Sequence, residues 1–279
     1  MQSPAPTATQ RKIKESKTAS HTRGGFLESV QEKKMDFQVE INGLPVSARY
    51  SQESIDGIFL PFLRELTELQ KKLGRRVFVL LAAPPGAGKS TLCEFLKYLT
   101  AQDDSLQPVT VIGMDGFHRR QEYLLSHTAL RDGKEIPMVS IKGAPVTFDL
   151  PLLTERMKRV AAGEECGWPA YNRLTHNPQE NAVVVTGNIV LLEGNYLLLD
   201  EPGWRGLKEL ADFTVKIVAD AEDLRPRLVA RKTASGVSPE AACEFVEHSD
   251  LWNAQLCLEH SLPADLTLFL QHDGEYTAR

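Results

Sequence analysis

The sequence predicts an α/β protein built on a mainly parallel sheet with helices on both faces. Three observations carry that expectation. From Arg75 onward, short apolar runs alternate with helical ones. The apolar runs are continuous, as strands buried on both faces are. The loops after three of them hold glycines or carboxylates, at the carboxyl ends where such sheets bind ligands. With 279 residues, 42% of them hydrophobic, the chain can bury a sizeable core. Its 32 basic and 37 acidic residues leave a net charge of −5, which argues against a general binder of nucleic acid or membrane surfaces. No apolar run approaches the length of a bilayer span. Cys93, Cys166, Cys243 and Cys257 lie far apart, without C-x-x-C spacing and with no secretory apolar segment before them. A reduced, cytoplasmic setting is therefore expected.

Residues 1–35 are rich in Ser, Thr, Gln, Lys and Arg, the composition of a disordered leader. Their basic character raises organellar targeting, against which Glu15, Glu28 and Glu32 argue. Residues 36–279 are read as one domain. Phe37, Val39 and Ile41 alternate, Asn42-Gly43 turns, and Leu44, Val46 and Ala48 alternate again, which predicts a hairpin. Its strand edges could pair between subunits of a homodimer. A helix is expected from Ser51 to Leu73, with a stripe of eight apolar residues from Ile55 to Leu73. Pro61 should kink it or start its second part, and Gly74 should end it. Strands then follow at 77–82, 109–113, 189–193, 214–218 and 266–270. Helices fall near 91–99, 150–162, 224–233 and 239–260.

The first strand of that series runs into Ala83-Pro84-Pro85-Gly86-Ala87-Gly88-Lys89-Ser90-Thr91. This is the phosphate-loop pattern G-x-x-x-x-G-K-[ST], with Ala83 at its first glycine position. Pro85, Gly86, Ala87, Gly88, Lys89, Ser90 and Thr91 form the expected nucleotide-binding stretch. Gly86 and Gly88 let the backbone curl so that successive N–H groups point at phosphate oxygens. Lys89 adds a point charge toward the β- and γ-phosphates, and the Ser90 hydroxyl is placed to ligate Mg²⁺. The helix that follows aims its N-terminal dipole at the same anion. The bland alternative is a structural glycine turn.

Two further strands end in an acid. Val111-Ile112-Gly113-Met114-Asp115 puts Asp115 at the sheet edge that holds the loop. There it could bind Mg²⁺, take a proton from a substrate hydroxyl, or simply start a turn with Gly116. Ile189-Val190-Leu191-Leu192-Glu193 repeats the arrangement, and Glu193 suits a carboxylate that orients Mg²⁺ and its waters. His118 could bond a substrate hydroxyl or be packed in its turn.

With these motifs the chain resembles the phosphoribulokinase/uridine kinase/pantothenate kinase group of P-loop kinases, nearest its fructose-transport-associated, nucleoside/nucleotide kinase-like branch. The likeness runs from about Asp36 to Thr277. Besides the loop it rests on Met114-Asp115-Gly116-Phe117-His118, on Lys142 to Asp149, and on Pro169-Ala170-Tyr171-Asn172-Arg173. Leu192 to Asp200 and Asp250-Leu251-Trp252-Asn253-Ala254 complete it. Ala83 is common in that branch. The resemblance implies a P-loop NTPase fold, with Asp115 as general base and Glu193 supporting Mg²⁺. It implies that Tyr171 and Arg173 contact the acceptor. The branch usually has Asp where this chain has Asn172, which leaves Arg173 one fewer anionic partner. It also implies a helical lid at about 225–238, where Arg225, Arg227, Arg231 and Lys232 fall. Arg231 is the preferred lid cation, against a solvated helix face. Asp149 could cap the helix after it or reach a substrate hydroxyl. Trp168, Trp204 and Trp252 are packing anchors or pocket walls.

The expected activity is transfer of the γ-phosphoryl group of ATP to an alcohol of a small polar molecule, with ATP and Mg²⁺ as cofactors. Lys89, Asp115 and Arg231 are the catalytic candidates; Ser90, Glu193 and Asp115 could hold the metal. His118, Lys142, Tyr171 and Arg173 would line an acceptor cleft whose cations favour a polar molecule. A sugar or sugar derivative fits best, with a nucleoside or a pantothenate-like alcohol as alternatives. A nucleotide-hydrolysing switch lacks support, because no guanine-reading N-K-x-D element occurs. A degenerate fold used only for binding is countered by Lys89, Ser90, Asp115 and Glu193, all of which are present.

Overall fold

The computed structural model describes residues 33–41, 43–131, 133–172 and 175–279. Most of the leader therefore lies outside the described residues, as does Asn42. Strand β1 (Lys34–Ile41) starts two residues before Asp36 and pairs antiparallel with β2 (Leu44–Ser51), with Val39 opposite Val46. Gly43 has φ +81°, the left-handed conformation the Asn-Gly turn demands. The hairpin buries Phe37 and Tyr50 against Phe95 at ring separations of 5.1 and 4.2 Å.

The helix expected over 51–73 is helical from Gln52 on, but in three parts. Ser51 caps α1 (Gln52–Ser54) by accepting the Ser54 N–H at 3.0 Å. A π-turn, Ile55–Phe59, then leads into α2 (Leu60–Leu73). Pro61 sits in the first turn of α2, where its missing N–H is not needed, so it restarts the helix. Gly74 closes α2 at φ +64°.

The next stretch builds the site: β3 (Val77–Ala82), α3 (Lys89–Thr100) and β4 (Val109–Gly113). A segment follows in which the sequence foresaw only one helix. It holds α4 (Gln121–Ser126), the hairpin β5 (Thr128–Arg131) and β6 (Lys134–Pro137), α5 (Leu150–Ala161), and the hairpin β7 (Cys166–Asn172) and β8 (Asn177–Val185). The chain then forms β9 (Ile189–Gly194), β10 (Phe213–Val218) and α6 (Ala221–Ala234). The run expected as one helix over 239–260 is α7 (Pro239–Phe245), a π-turn and α8 (Leu251–Glu259). Strands β11 (Leu266–Leu270) and β12 (Tyr276–Ala278) end it.

The central sheet has the order β12-β11-β10-β3-β9-β4, parallel throughout except for β12. Its middle strand explains the continuous apolar runs. Val77, Val79 and Leu81 point into one core with α2, α3 and the N-terminal hairpin. Phe78, Leu80 and Ala82 point into a second core with Phe117, Leu153, Trp168 and Tyr196. The period of two divides the strand between two cores, so both faces must be apolar. Among the described residues, no helix is long and apolar enough to cross a membrane.

Candidate active site

The loop between β3 and α3 has the predicted curl. Gly86 and Gly88 stand at φ +86° and +82°, whereas Ala83 is not among the left-handed residues. A methyl group at position 83 therefore costs no backbone strain, which accounts for the departure from the usual glycine. Gly86 is constrained twice, since a Cβ there would lie 3.0 Å from Leu228 Cγ on α6. Gly88 is the N-cap of α3 and offers no side-chain oxygen to its first amides. Those amides can serve an anion.

Register brings the carboxylates to this loop. Glu193 on β9 lies between Leu81 of β3 and Gly113 of β4. Its Oε1 accepts the Ser90 hydroxyl at 2.7 Å. Burial pushes the Glu193 carboxyl above its ordinary range; Lys89 pulls it back, Asp115 pushes it further up, and the Ser90 bond lowers it. Lys89, Ser90, Glu193 and Asp115 thus form one electrostatic unit. Among the described residues, no group of three or more His, Cys, Asp or Glu could hold a metal ion. A hydroxyl and two carboxylates suit a hard cation that takes its remaining oxygens from phosphate and water.

Asp115 lies in a 3₁₀ turn, Met114–Phe117, held from outside. The Trp168 indole donates to the Gly113 carbonyl at 2.8 Å. Gly116 packs so tightly under β7 that a Cβ would lie 2.0 Å from the Pro169 carbonyl oxygen. The turn and the β7–β8 hairpin are therefore one packed unit. The Asp115 carbonyl accepts both the His118 backbone N–H at 3.2 Å and its Nδ1–H at 2.9 Å. In the neutral ring Nε2 is then the acceptor. The ring lies 4.0 Å from Phe148 and 5.1 Å from Tyr171.

Lys142 joins this wall. Its ammonium donates to Gln121 Oε1 at 2.7 Å and to the His176 carbonyl at 3.3 Å, and lies 5.1 Å from the Tyr171 ring. Burial lowers its pKa to about 8. Arg173 lies outside the described residues. Asp149 takes the capping role, accepting the Leu152 N–H at 3.2 Å. Trp168 and Trp204 are buried packing residues, while Trp252 is partly exposed beneath the Arg131 guanidinium at 4.3 Å.

On α6, Arg231 and Lys232 approach Asp250 Oδ2 at 3.8 and 3.9 Å, and Arg225 pairs with Glu247. Arg225, Arg231 and Lys232 are thus held against the π-turn before α8. Sequence reasoning gave no role to three buried polar side chains. Asn195 Oδ1, Ser249 Oγ and Asn253 Oδ1 are buried without a hydrogen-bond partner. Asn253 Nδ2 would stand 3.4 Å from a Cβ on Gly143, next to Lys142. One signal was visible beforehand: an Asn inside the largely apolar run Leu251-Trp252-Asn253-Ala254.

A phosphate-loop sequence, two strand-end carboxylates and a packed insert between β4 and β9 on a parallel sheet are the arrangement of a P-loop kinase. The family pattern "Phosphoribulokinase / Uridine kinase family" matches residues 78–247, and the chain belongs to that family. It is 39% identical over 243 residues to YggC of Escherichia coli (strain K12), a protein described as uncharacterized, across 87% of this chain and 98% of that one. A uridine kinase candidate of Schizosaccharomyces pombe, C227.14, is 30% identical over 70% of this chain and 83% of its own length. A solved fructose transport system kinase candidate from Silicibacter sp. TM1040 superposes with a TM-score of 0.62 at 32% identity, over 72% of this chain and 98% of that one.

Proposed function

We propose that this kinase moves the γ-phosphoryl group of ATP to an alcohol of a small polyhydroxylated acceptor, a sugar or sugar derivative. The observation that carries the reading is the Ser90–Glu193 hydrogen bond, with Asp115 on the adjacent strand end and Lys89 within electrostatic reach. The loop amides and Lys89 hold the β- and γ-phosphates. Ser90 and Glu193 fit Mg²⁺, which would neutralise charge on those oxygens. Asp115 orients the acceptor hydroxyl and takes its proton as the new O–P bond forms and the bond to the ADP oxygen breaks. Arg231 closes over the transferring group from α6. His118, Lys142 and Tyr171 form the acceptor wall, and Arg173, which lies outside the described residues, is assigned to acceptor binding from the sequence alone. The Silicibacter neighbour supports a sugar. The fission-yeast relative favours a nucleoside as the second reading, whose ribose would offer the same hydroxyls.

The test is ADP release across ketoses, aldoses, sugar acids, nucleosides and pantothenate. One acceptor class should stimulate release, and Lys89→Ala should abolish that stimulation while the protein stays folded. Nucleosides alone as substrates would select the second reading. No stimulation by any acceptor, or stimulation that survives in Lys89→Ala, would contradict the proposal.

A further inference from the structure

The two ends of the described chain meet behind the phosphate loop. Tyr276, the first residue of β12, is buried, and its hydroxyl donates to the Ala87 carbonyl at 3.2 Å. Ala87 lies between the two left-handed glycines of the loop. In a trans peptide the C=O and the following N–H point in opposite directions. A carbonyl of Ala87 tied back to Tyr276 therefore turns the Gly88 N–H toward the concave, phosphate-facing side. Burial pushes the Tyr276 hydroxyl well above its ordinary pKa, so it remains a donor at any physiological pH.

The tyrosine is itself fixed. Its ring packs edge-on to Phe59 at 5.9 Å and lies 6.5 Å from Tyr50. A tight turn precedes it, with Gly274 N–H to Gln271 O at 2.9 Å and Gln271 N–H to Glu275 O at 2.8 Å. The neighbouring Glu275 accepts from the Ser51 N–H at 3.1 Å, the Ser54 hydroxyl at 2.9 Å and the Lys34 ammonium at 2.8 Å. The N-terminal hairpin, the start of α1 and β12 thus form one brace, and Tyr276 is its contact with the loop carbonyl.

We infer that Tyr276 is a positioning residue for the phosphate cradle, setting the Ala87–Gly88 peptide so that its N–H faces the nucleotide phosphates. The inference rests on the reading of residues 83–91 as a phosphate loop. The role falls on phosphates, not on the base or the acceptor. Tyr276→Phe keeps the ring in its aromatic cluster and removes only the donor. The measurement is binding of ADP and, separately, of pyrophosphate to the purified full chain with Mg²⁺, alongside the melting temperature. Loss of one neutral hydrogen bond should weaken both ligands by the same factor, about fivefold, with the melting temperature changed by a few degrees at most. Lys89→Ala should lose binding of both. Unchanged affinity in Tyr276→Phe beside a loss in Lys89→Ala overturns the role of Tyr276 alone. Unchanged affinity in Lys89→Ala overturns the phosphate loop itself. Weaker ADP with unaltered pyrophosphate would place the tyrosine at the base and likewise contradict the inference.

Discussion

The proposed phosphate side and the proposed acceptor side of this kinase are built in different ways. The phosphate side is backbone: two left-handed glycines, a helix N-terminus and the register of three parallel strands place Lys89, Ser90 and Glu193. The acceptor side is side-chain packing across long sequence separations. Trp168 holds Gly113, Pro169 covers Gly116, and Lys142 reaches Gln121 and His176. The first half can be conserved in form while the second is rebuilt for another acceptor, because only the second depends on which side chains fill the insert. Asp115 stands where they join: its strand belongs to one half and its turn is clamped by the other.

That contrast can be broken at its seam. Gly116→Ala should have a large effect, since the new methyl meets a backbone oxygen that cannot swing away. Displacing the Asp115 turn by about an ångström should lower kcat by about a hundredfold, and the overpacking should cost about 1–3 kcal/mol in denaturant unfolding. ADP affinity should change far less, because the loop is anchored elsewhere. An equal loss of both would mean that the two halves are not separable.

A smaller effect is expected from Lys142. With its pKa lowered to about 8, its ammonium is lost as pH rises through that value. An acceptor that uses the charge should show a rising KM above about pH 8, and Lys142→Arg should flatten the profile. The stability effect has the opposite sense. The unfolded chain holds this proton up to the ordinary lysine range and the folded one releases it near pH 8. The burial penalty is therefore fully present below pH 8 and relieved as pH climbs toward the unfolded pKa. Chemical denaturation of the wild-type chain and Lys142→Met between pH 7 and 10 would show it, the difference shrinking as pH rises.

The same contrast sets how much was legible in the sequence. Strand 77–82 is found where the apolar run puts it, because a strand buried on both faces has no other composition open to it, and strand 266–270 also falls on its apolar run, with Leu268 and Leu270 buried. Asp115 and Glu193 were legible as acids closing such runs. The two hairpins of the insert were not. Strands β5 and β6 are four residues each and largely solvent-facing, with Leu130 77% exposed. Strand β7 carries Gly167 and Pro169, and β8 opens on Asn177-Pro178, residues that read as turns. They pair because Trp168, Gly116 and the second core reward the pairing, and none of those contacts is local. Asn253 was hidden for a related reason: a polar residue in an apolar helix stands out only once its surroundings are known.

The smallest expected effect lies wholly on the phosphate side. Ala83→Gly restores the usual pattern at a position whose backbone does not need it, so nucleotide affinity should stay within about twofold, with stability lowered by less than about 1 kcal/mol. A large gain in affinity would show that the alanine is a real defect.

In the proposed reaction Asp115 acts on the acceptor while the loop holds the nucleotide. The most direct measurement is Asp115→Asn, with ADP affinity measured by calorimetry and acceptor-stimulated turnover measured on the same preparation. Loss of a positioned general base should lower turnover by about 10²- to 10⁴-fold and leave ADP affinity within a few-fold of wild type. Retained turnover, or ADP binding lost in step with turnover, would contradict the account and make Asp115 chiefly part of the nucleotide site.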